Sequence, residues 1–250
     1  MPRHQPIQTD SGERTIAYER VYHELYTAII SGHYAPGQSL TIRGLAEELG
    51  MSPMPVREAV RRLVAMGALE MRTTRRVAVC SLTESSFHEI CKARNLLEPE
   101  LAAQALPKVT TKLITRLRAI DQKIDQAIES GDADRYSYSN WEFHFTLYRL
   151  SHSDLFLDLV ETLWLRFGPF MRVVVGRIGT SLVVDQHQQM LQALEHKDET
   201  GLREAVRLDI CDGMQAIGDE LFGQGVMVDE GPRVRPRGRT TRNRSRKSGT

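Results

Sequence analysis

Residues 40–69 read LTIRGLAEELGMSPMPVREAVRRLVAMGAL, and this stretch decides the fold of the front of the chain. Leu45, Ala46 and Leu49 recur at helical spacing, so a short helix spans about Thr41 to Leu49 and is closed by Gly50. Ser52 takes the N-cap position of a second helix, with Pro53 at its first turn, where a missing N–H costs nothing. Val56, Val60 and Leu63 form that helix's inner stripe, and Gly67 ends it. The next segment, ALEMRTTRRVAVC, is rich in β-formers around a basic middle and reads as a small hairpin. A helix, a glycine turn, a second helix and a hairpin make a winged helix-turn-helix. The second helix of such a unit fits the major groove of DNA, where its first residues meet base edges. Arg57 and Arg61, four apart, share one face of it and Arg62 lies beside them. Arg43 is placed for phosphate, and Arg72, Arg75 and Arg76 sit in the wing. A solvated basic face is the plain alternative for these arginines.

Outward from this stretch, the pattern N-terminal to it is helical from about Arg14 to Ile30, with Ile16, Val21, Leu25 and Ile29 on one stripe. SGHYAPGQSL then breaks the pattern with two glycines and a proline. C-terminal to it everything reads as helix. Ser81-Leu82-Thr83-Glu84 offers a capping box. Six helices are expected near 83–106, 110–129, 132–151, 154–175, 181–196 and 199–222. They are punctuated by Gly131, by the Ser151–Asp154 turn and by Lys197-Asp198.

Several of these helices carry polar residues on the stripe that should face the core. Arg94 interrupts Phe87, Ile90, Leu97 and Leu101. Asn140 and His144 lie among Tyr136, Phe143 and Leu147. Arg166 lies among Leu159, Leu163, Phe167 and Phe170. His187 lies among Val183, Met190, Leu191 and Leu194, and Asp209 among Leu202, Val206, Gly213 and Ile217. A polar group buried without a partner costs about 1–3 kcal/mol. Each of these residues alone is therefore either a hydrogen-bonded core residue or a ligand. Together, Asn140, His144, His187 and Asp209 make an N2O2 set suited to Zn, Ni, Fe or Mn, and the inward Arg94 and Arg166 suit an anionic small molecule. His196, at a helix end, reads as a partner of the helix dipole, and His152 as turn chemistry.

Charge is unevenly spread. The formal net charge is +1 over 250 residues, but residues 232–250 hold eight Lys/Arg and no acid. Residues 1–79 sum to +2 and residues 80–231 to −9. Such asymmetry favours nucleic-acid contact by one part of a chain only. The 41% hydrophobic and 26% charged residues are ordinary for a globular protein. Three scattered cysteines, Cys80, Cys91 and Cys211, form no CxxC pair, which excludes zinc-finger and thioredoxin-like readings and fits a reducing cytoplasm. No signal peptide or apolar run of membrane-spanning length is visible, and no phosphate-binding glycine loop appears. The expected organisation is a disordered N-terminus over 1–13, a winged helix-turn-helix domain over 14–80, an all-helical domain over 81–222 and a disordered basic tail over 223–250.

The residues 40–69 quoted above resemble the N-terminal DNA-binding domain of GntR-family bacterial repressors. Residues 83–222 resemble the all-helical effector-binding FCD domain of the FadR subfamily. The second resemblance rests on Arg94-Asn-Leu-Leu-Glu98, Asn140-Trp-Glu-Phe-His144, Leu163–Pro169, His187 ahead of Leu191-Gln-Ala-Leu, and Leu208-Asp-Ile210. It implies a mainly α protein, an N-terminal winged helix-turn-helix domain followed by an antiparallel helical bundle. It implies DNA contacts at Arg43, Ser52 and Arg57 and near Thr73, Thr74 and Arg75. Arg61 joins them on the facial argument. The metal ligands of the family fall on Asn140, His144, His187 and Asp209. Asn140 stands where metal-binding relatives have Asp, and Asp209 where they have His, so one charge is lost and one regained. Pro53, Met54 and Arg76 also depart from the family pattern in the reading head. The implied function is a cytoplasmic transcriptional regulator, a repressor, binding a pseudo-palindromic operator in double-stranded DNA as a homodimer. A small organic acid held with the help of Arg94 or Arg166 would control it. Two other classes compete. One is a helical-bundle metalloenzyme acting on a small acid, against which stands the absence of E-x-x-H and H-E-x-x-H pairs. The other is an architectural DNA protein, which would have no use for inward Arg and His.

Overall fold

A computed structural model describes residues 10–172 and 186–223. The expected basic tail beyond residue 223, the N-terminal nine residues and the segment 173–185, with Val183, lie outside them.

The winged-helix unit forms as the 40–69 pattern dictates. Helix α1 (Asp10–Ile30) comes first. After strand β1 (Ser39–Thr41), helix α2 (Ile42–Glu48) buries Ile42, Leu45 and Ala46. Thr41 caps it, its hydroxyl accepting from the Gly44 N–H at 2.9 Å. Helix α3 (Pro53–Ala65) buries Val56, Ala59, Val60 and Leu63 against α1. Ser52 holds the N-cap backbone geometry, but its side chain makes no capping bond. Strands β2 (Leu69–Thr73) and β3 (Arg76–Val79) form the hairpin. The sheet has three strands in the order β1-β3-β2, all pairs antiparallel. Strand β1 is the element that sequence periodicity does not reveal, because three residues in a Gly/Pro-rich stretch are too few to show alternation. The stripe on α1 is corrected at one end: Ile16 is exposed, while Val21, Leu25 and Ile29 are buried.

The rear of the chain is a helical bundle. Helix α4 (Glu84–Ala105) is capped by Thr83 and Ser86, reciprocally, and not by Ser81 and Glu84 as expected. It is followed by α5 (Thr111–Ser130), α6 (Ala133–Tyr148), α7 (Asp154–Phe167), α8 (Gln186–His196) and α9 (Glu199–Phe222). Gly131 closes α5 in the left-handed region at φ 68°, which a side chain would strain. Helix α7 stops at Phe167 instead of running on, since Gly168-Pro169 follows and proline cannot continue the hydrogen-bond ladder. Its buried face is Val160, Trp164, Leu165 and Phe167, one position on from the expected Leu159/Leu163 stripe, and Leu159 is exposed. The α4–α9, α5–α6 and α8–α9 pairs make the body of the bundle, with α7 on α4. No described helix is long and apolar enough to cross a membrane.

The two units share a packed seam. Gly168 lets α1 approach the end of α7, since a Cβ there would come within 3.2 Å of Ile30 Cα. Arg172 Nη1 donates to Gly32 O at 2.9 Å and pairs with Asp134 at 3.0 Å. Tyr26 of α1 meets Trp141 of α6 edge-on, with ring centroids 5.7 Å apart.

Candidate functional site

The reading head presents its expected residues at the surface. Arg43 is exposed and ion-paired with Glu47 at 2.8 Å. Arg61 is exposed and paired with Glu58 at 2.8 Å. Ser52, Thr73, Thr74 and Arg75 are exposed. Arg57 is half-buried and donates through Nη1 to Thr74 O at 3.1 Å, so it ties the start of α3 to the tip of the wing. Thr73 Oγ1 accepts from the N–H groups of Arg75 and Arg76 and shapes the turn between β2 and β3. Arginines on exposed flexible pairs exchange their carboxylate partners for phosphates at little cost, because surface ion pairs contribute only about 0–1 kcal/mol. Met54, 67% exposed at the first turn of α3, adds an apolar group to the same face. Such a group suits a thymine methyl.

Inside the bundle, three helices bring His144 (α6), His187 (α8) and Asp209 (α9) together, with one ligating atom of each within 4.8 Å of the others. The two Nε2 atoms are 3.4 Å apart. Asp209 Oδ2 is 3.2 Å from His144 Nε2, and its Oδ1 is 3.7 Å from His187 Nε2. His144 is essentially inaccessible, whereas Asp209 is 23% exposed and forms the open side of the cluster. Burial would raise the Asp209 carboxyl. When both imidazoles are protonated, the hydrogen bond from His144 and the charges of His144, His187 and Arg94 outweigh it and bring the carboxyl down to about 2. Asn140, one turn before His144 on the same face of α6, is buried.

The outer nitrogens of both imidazoles are occupied. His187 Nδ1 lies 3.1 Å from Asp121 Oδ1, and the other oxygen of Asp121 accepts from Gln188 Nε2 at 2.6 Å. Since a carboxylate only accepts, His187 Nδ1 carries a proton, and in the neutral ring its Nε2 presents a lone pair to the cluster. His144 Nδ1 lies 3.1 Å from Tyr148 Oη. These partners escape a reading of apolar stripes. Glu98, Tyr148 and Asp121 pass for ordinary helix residues, although Glu98 stands four after Arg94 and Tyr148 four after His144, the spacing at which side chains on one helix face meet.

Two sequence expectations are corrected here. Arg94 is not free for an effector: its Nε donates to Glu98 Oε1 at 2.6 Å, both residues are buried, and its guanidinium stacks over Phe167 at 4.0 Å and Trp164 at 4.8 Å. Arg166 does not face the cluster. Its side chain runs beneath Gly67 of the winged-helix unit, and its carbonyl accepts from Cys80 Sγ at 3.2 Å, because α7 is rotated one position from the expected phase. His196 caps its own helix as expected, with Nδ1 2.8 Å from Gln192 O, and His152 sits in a left-handed turn at φ 55°. All three cysteines are buried and none is in a disulfide among the described residues, and burial pushes the Cys91 thiol up to about 12, which makes it inert.

Comparison with known proteins matches residues 17–79 to "Bacterial regulatory proteins, gntR family" and residues 89–210 to the FCD domain. The HTH-type transcriptional regulator McbR of Escherichia coli K12 is 30% identical over 187 residues, covering 74% of this chain and 85% of the relative. The gluconate operon transcriptional repressor of Bacillus subtilis is 25% identical over 220 residues, covering 84% and 88%. The solved structure of E. coli McbR/YncC superposes with a TM-score of 0.75 at 28% identity, over 82% of this chain and 98% of that one. Both curated relatives are named as regulators of transcription.

Proposed function

The chain belongs to the GntR family of bacterial regulatory proteins and is a transcriptional regulator, not an enzyme; from that premise we propose that it is a FadR-type repressor. In this reading a divalent metal and a small organic acid in the helical domain govern operator binding by the winged-helix domain. A single observation carries the metal: two imidazole nitrogens and a carboxylate from three helices converge at 3.2–3.7 Å. Two nitrogens held by one tetrahedral zinc stand about 3.3 Å apart. Three acceptor atoms at these separations repel unless a cation, a metal ion or protons, lies among them. His144, His187 and Asp209 would hold the metal, with Asn140 as a further oxygen donor. The bound metal would supply a Lewis-acidic centre for an oxygen ligand.

The effector side of the reading rests on the same geometry. Asp209 is the partly exposed member, so an acid reaches the cluster there. With Arg94 closed on Glu98 and Arg166 at the seam, the metal and not these arginines supplies the positive charge. The relative named for a gluconate operon supports a sugar-derived acid. The packed seam between α1, α6 and α7 gives a change in the bundle a direct route to the reading head. Such a ligand acts by binding the DNA-competent and DNA-incompetent arrangements with different affinity. A homodimer would place two reading heads on a pseudo-palindromic operator.

Thermal-shift measurements on the full chain with gluconate and related hydroxy acids, with and without zinc, nickel or manganese, test this reading. A bound ligand at a hundredfold its Kd stabilises by about 2.7 kcal/mol. The expected result is a rise in Tm with acid only when metal is present. Equal shifts in a His144→Ala, His187→Ala double variant would contradict it.

A further inference from the structure

Glu98 is fully buried, yet it takes three donors from three helices. Arg94 Nε reaches Oε1 at 2.6 Å, Trp164 Nε1 reaches Oε1 at 3.1 Å and Tyr148 Oη donates to Oε2 at 3.0 Å. A phenol has one proton, and Tyr148 gives it to Glu98. Its oxygen is therefore left to accept, and the only way His144 Nδ1 can bond to it at 3.1 Å is as N–H donor. The neutral imidazole of His144 then has its lone pair on Nε2, the atom that faces His187 and Asp209.

We propose that Tyr148, anchored by Glu98, is a positioning residue that fixes the tautomer and ring orientation of His144 and thereby makes it a metal ligand. The proposal rests on the metal reading above and goes beyond it. It assigns the Arg94–Glu98 pair a task other than effector binding: it locks the acceptor to which Tyr148 is tied. The two imidazoles are oriented by different means. His187 leans directly on a carboxylate, Asp121, which also accepts from Gln188. His144 leans on a neutral phenol whose orientation depends on a buried ion pair packed against Trp164 and Phe167 of α7. The His144 ring also packs against Trp164, with centroids 5.4 Å apart. Partners of this kind, one shell out from the metal, typically set its affinity by a factor of about 10–100.

The test is zinc affinity of the full-length protein, measured by competition with a chromophoric chelator. It compares wild type, Tyr148→Phe and Val160→Ala; the last removes buried volume in α7 at a residue whose side chain makes none of the relay's hydrogen bonds. The expected result is zinc binding about 10–100-fold weaker in Tyr148→Phe, with Val160→Ala close to wild type although its metal-free Tm is lowered. Nitrogen-15 spectra of the zinc-loaded protein should show His144 ligated through Nε2 with Nδ1 protonated in wild type, and a heterogeneous His144 ring in Tyr148→Phe. Wild-type affinity in Tyr148→Phe, or an equal loss in Val160→Ala, overturns the positioning role while leaving the metal site standing. Failure of wild type to bind zinc, nickel or manganese overturns the metal reading itself, and the positioning role with it.

Discussion

Arg94 and Glu98, one helical turn apart on α4, form a buried ion pair at 2.6 Å that the two aromatic rings of α7 close from above. Removing one member of such a pair leaves the other as an uncompensated charge, at a cost of about 3–5 kcal/mol. Arg94→Ala should therefore shift the urea unfolding midpoint of the metal-free protein sharply downward. A variant that unfolds like wild type and has lost only its response to acids would mean that Arg94 serves the ligand.

The hydrogen bond from Arg57 to the carbonyl of Thr74 fixes the angle between the reading helix and the wing. Arg57→Ala should weaken binding to fragments that the wild-type protein enriches from a random duplex library, by about 1–3 kcal/mol, the scale of a lost base contact. Fluorescence anisotropy at one fixed salt concentration measures it. Equal affinity of the two proteins would move the reading function off the first turns of α3.

Glu161 on α7 is half-buried near the seam, 4.0 Å from Arg149. Burial raises its carboxyl above the ordinary 4.5, and the charges of Arg149 and Arg62 offset this only in part. A raised carboxyl favours the folded state below the unfolded value, and this contribution is lost as pH rises through the folded value. Glu161→Gln should thus be more stable than wild type at neutral pH, with the difference vanishing below pH about 4. Urea titrations at the two pH values decide it; a variant less stable at neutral pH would show that the pair with Arg149 outweighs burial.

Much of this was legible in residues 40–69, where caps, glycines and apolar spacing are local signals that agree with one another. The i, i+4 pair Asn140 and His144 was legible for the same reason. Phase was lost on α7, because DLFLDLVETLWLRF is apolar on more than one face and no polar stripe fixes its rotation. That one-position slip put Arg166 toward the cluster and hid Trp164. Asp121 was invisible as a partner because its donors come from another helix, a property of tertiary packing that no single helix records, and Glu98 was marked only by its i, i+4 spacing from Arg94. Strand β1 was hidden likewise, since it exists only through its pairing with β3.

In the reading proposed above, His144, His187 and Asp209 hold one metal ion. Isothermal titration of zinc into chelator-treated, untagged full-length protein tests it most directly. One zinc per chain is expected for wild type and none for the His144→Ala, His187→Ala double variant. Equal zinc uptake by the two proteins, or no uptake by wild type, would contradict it.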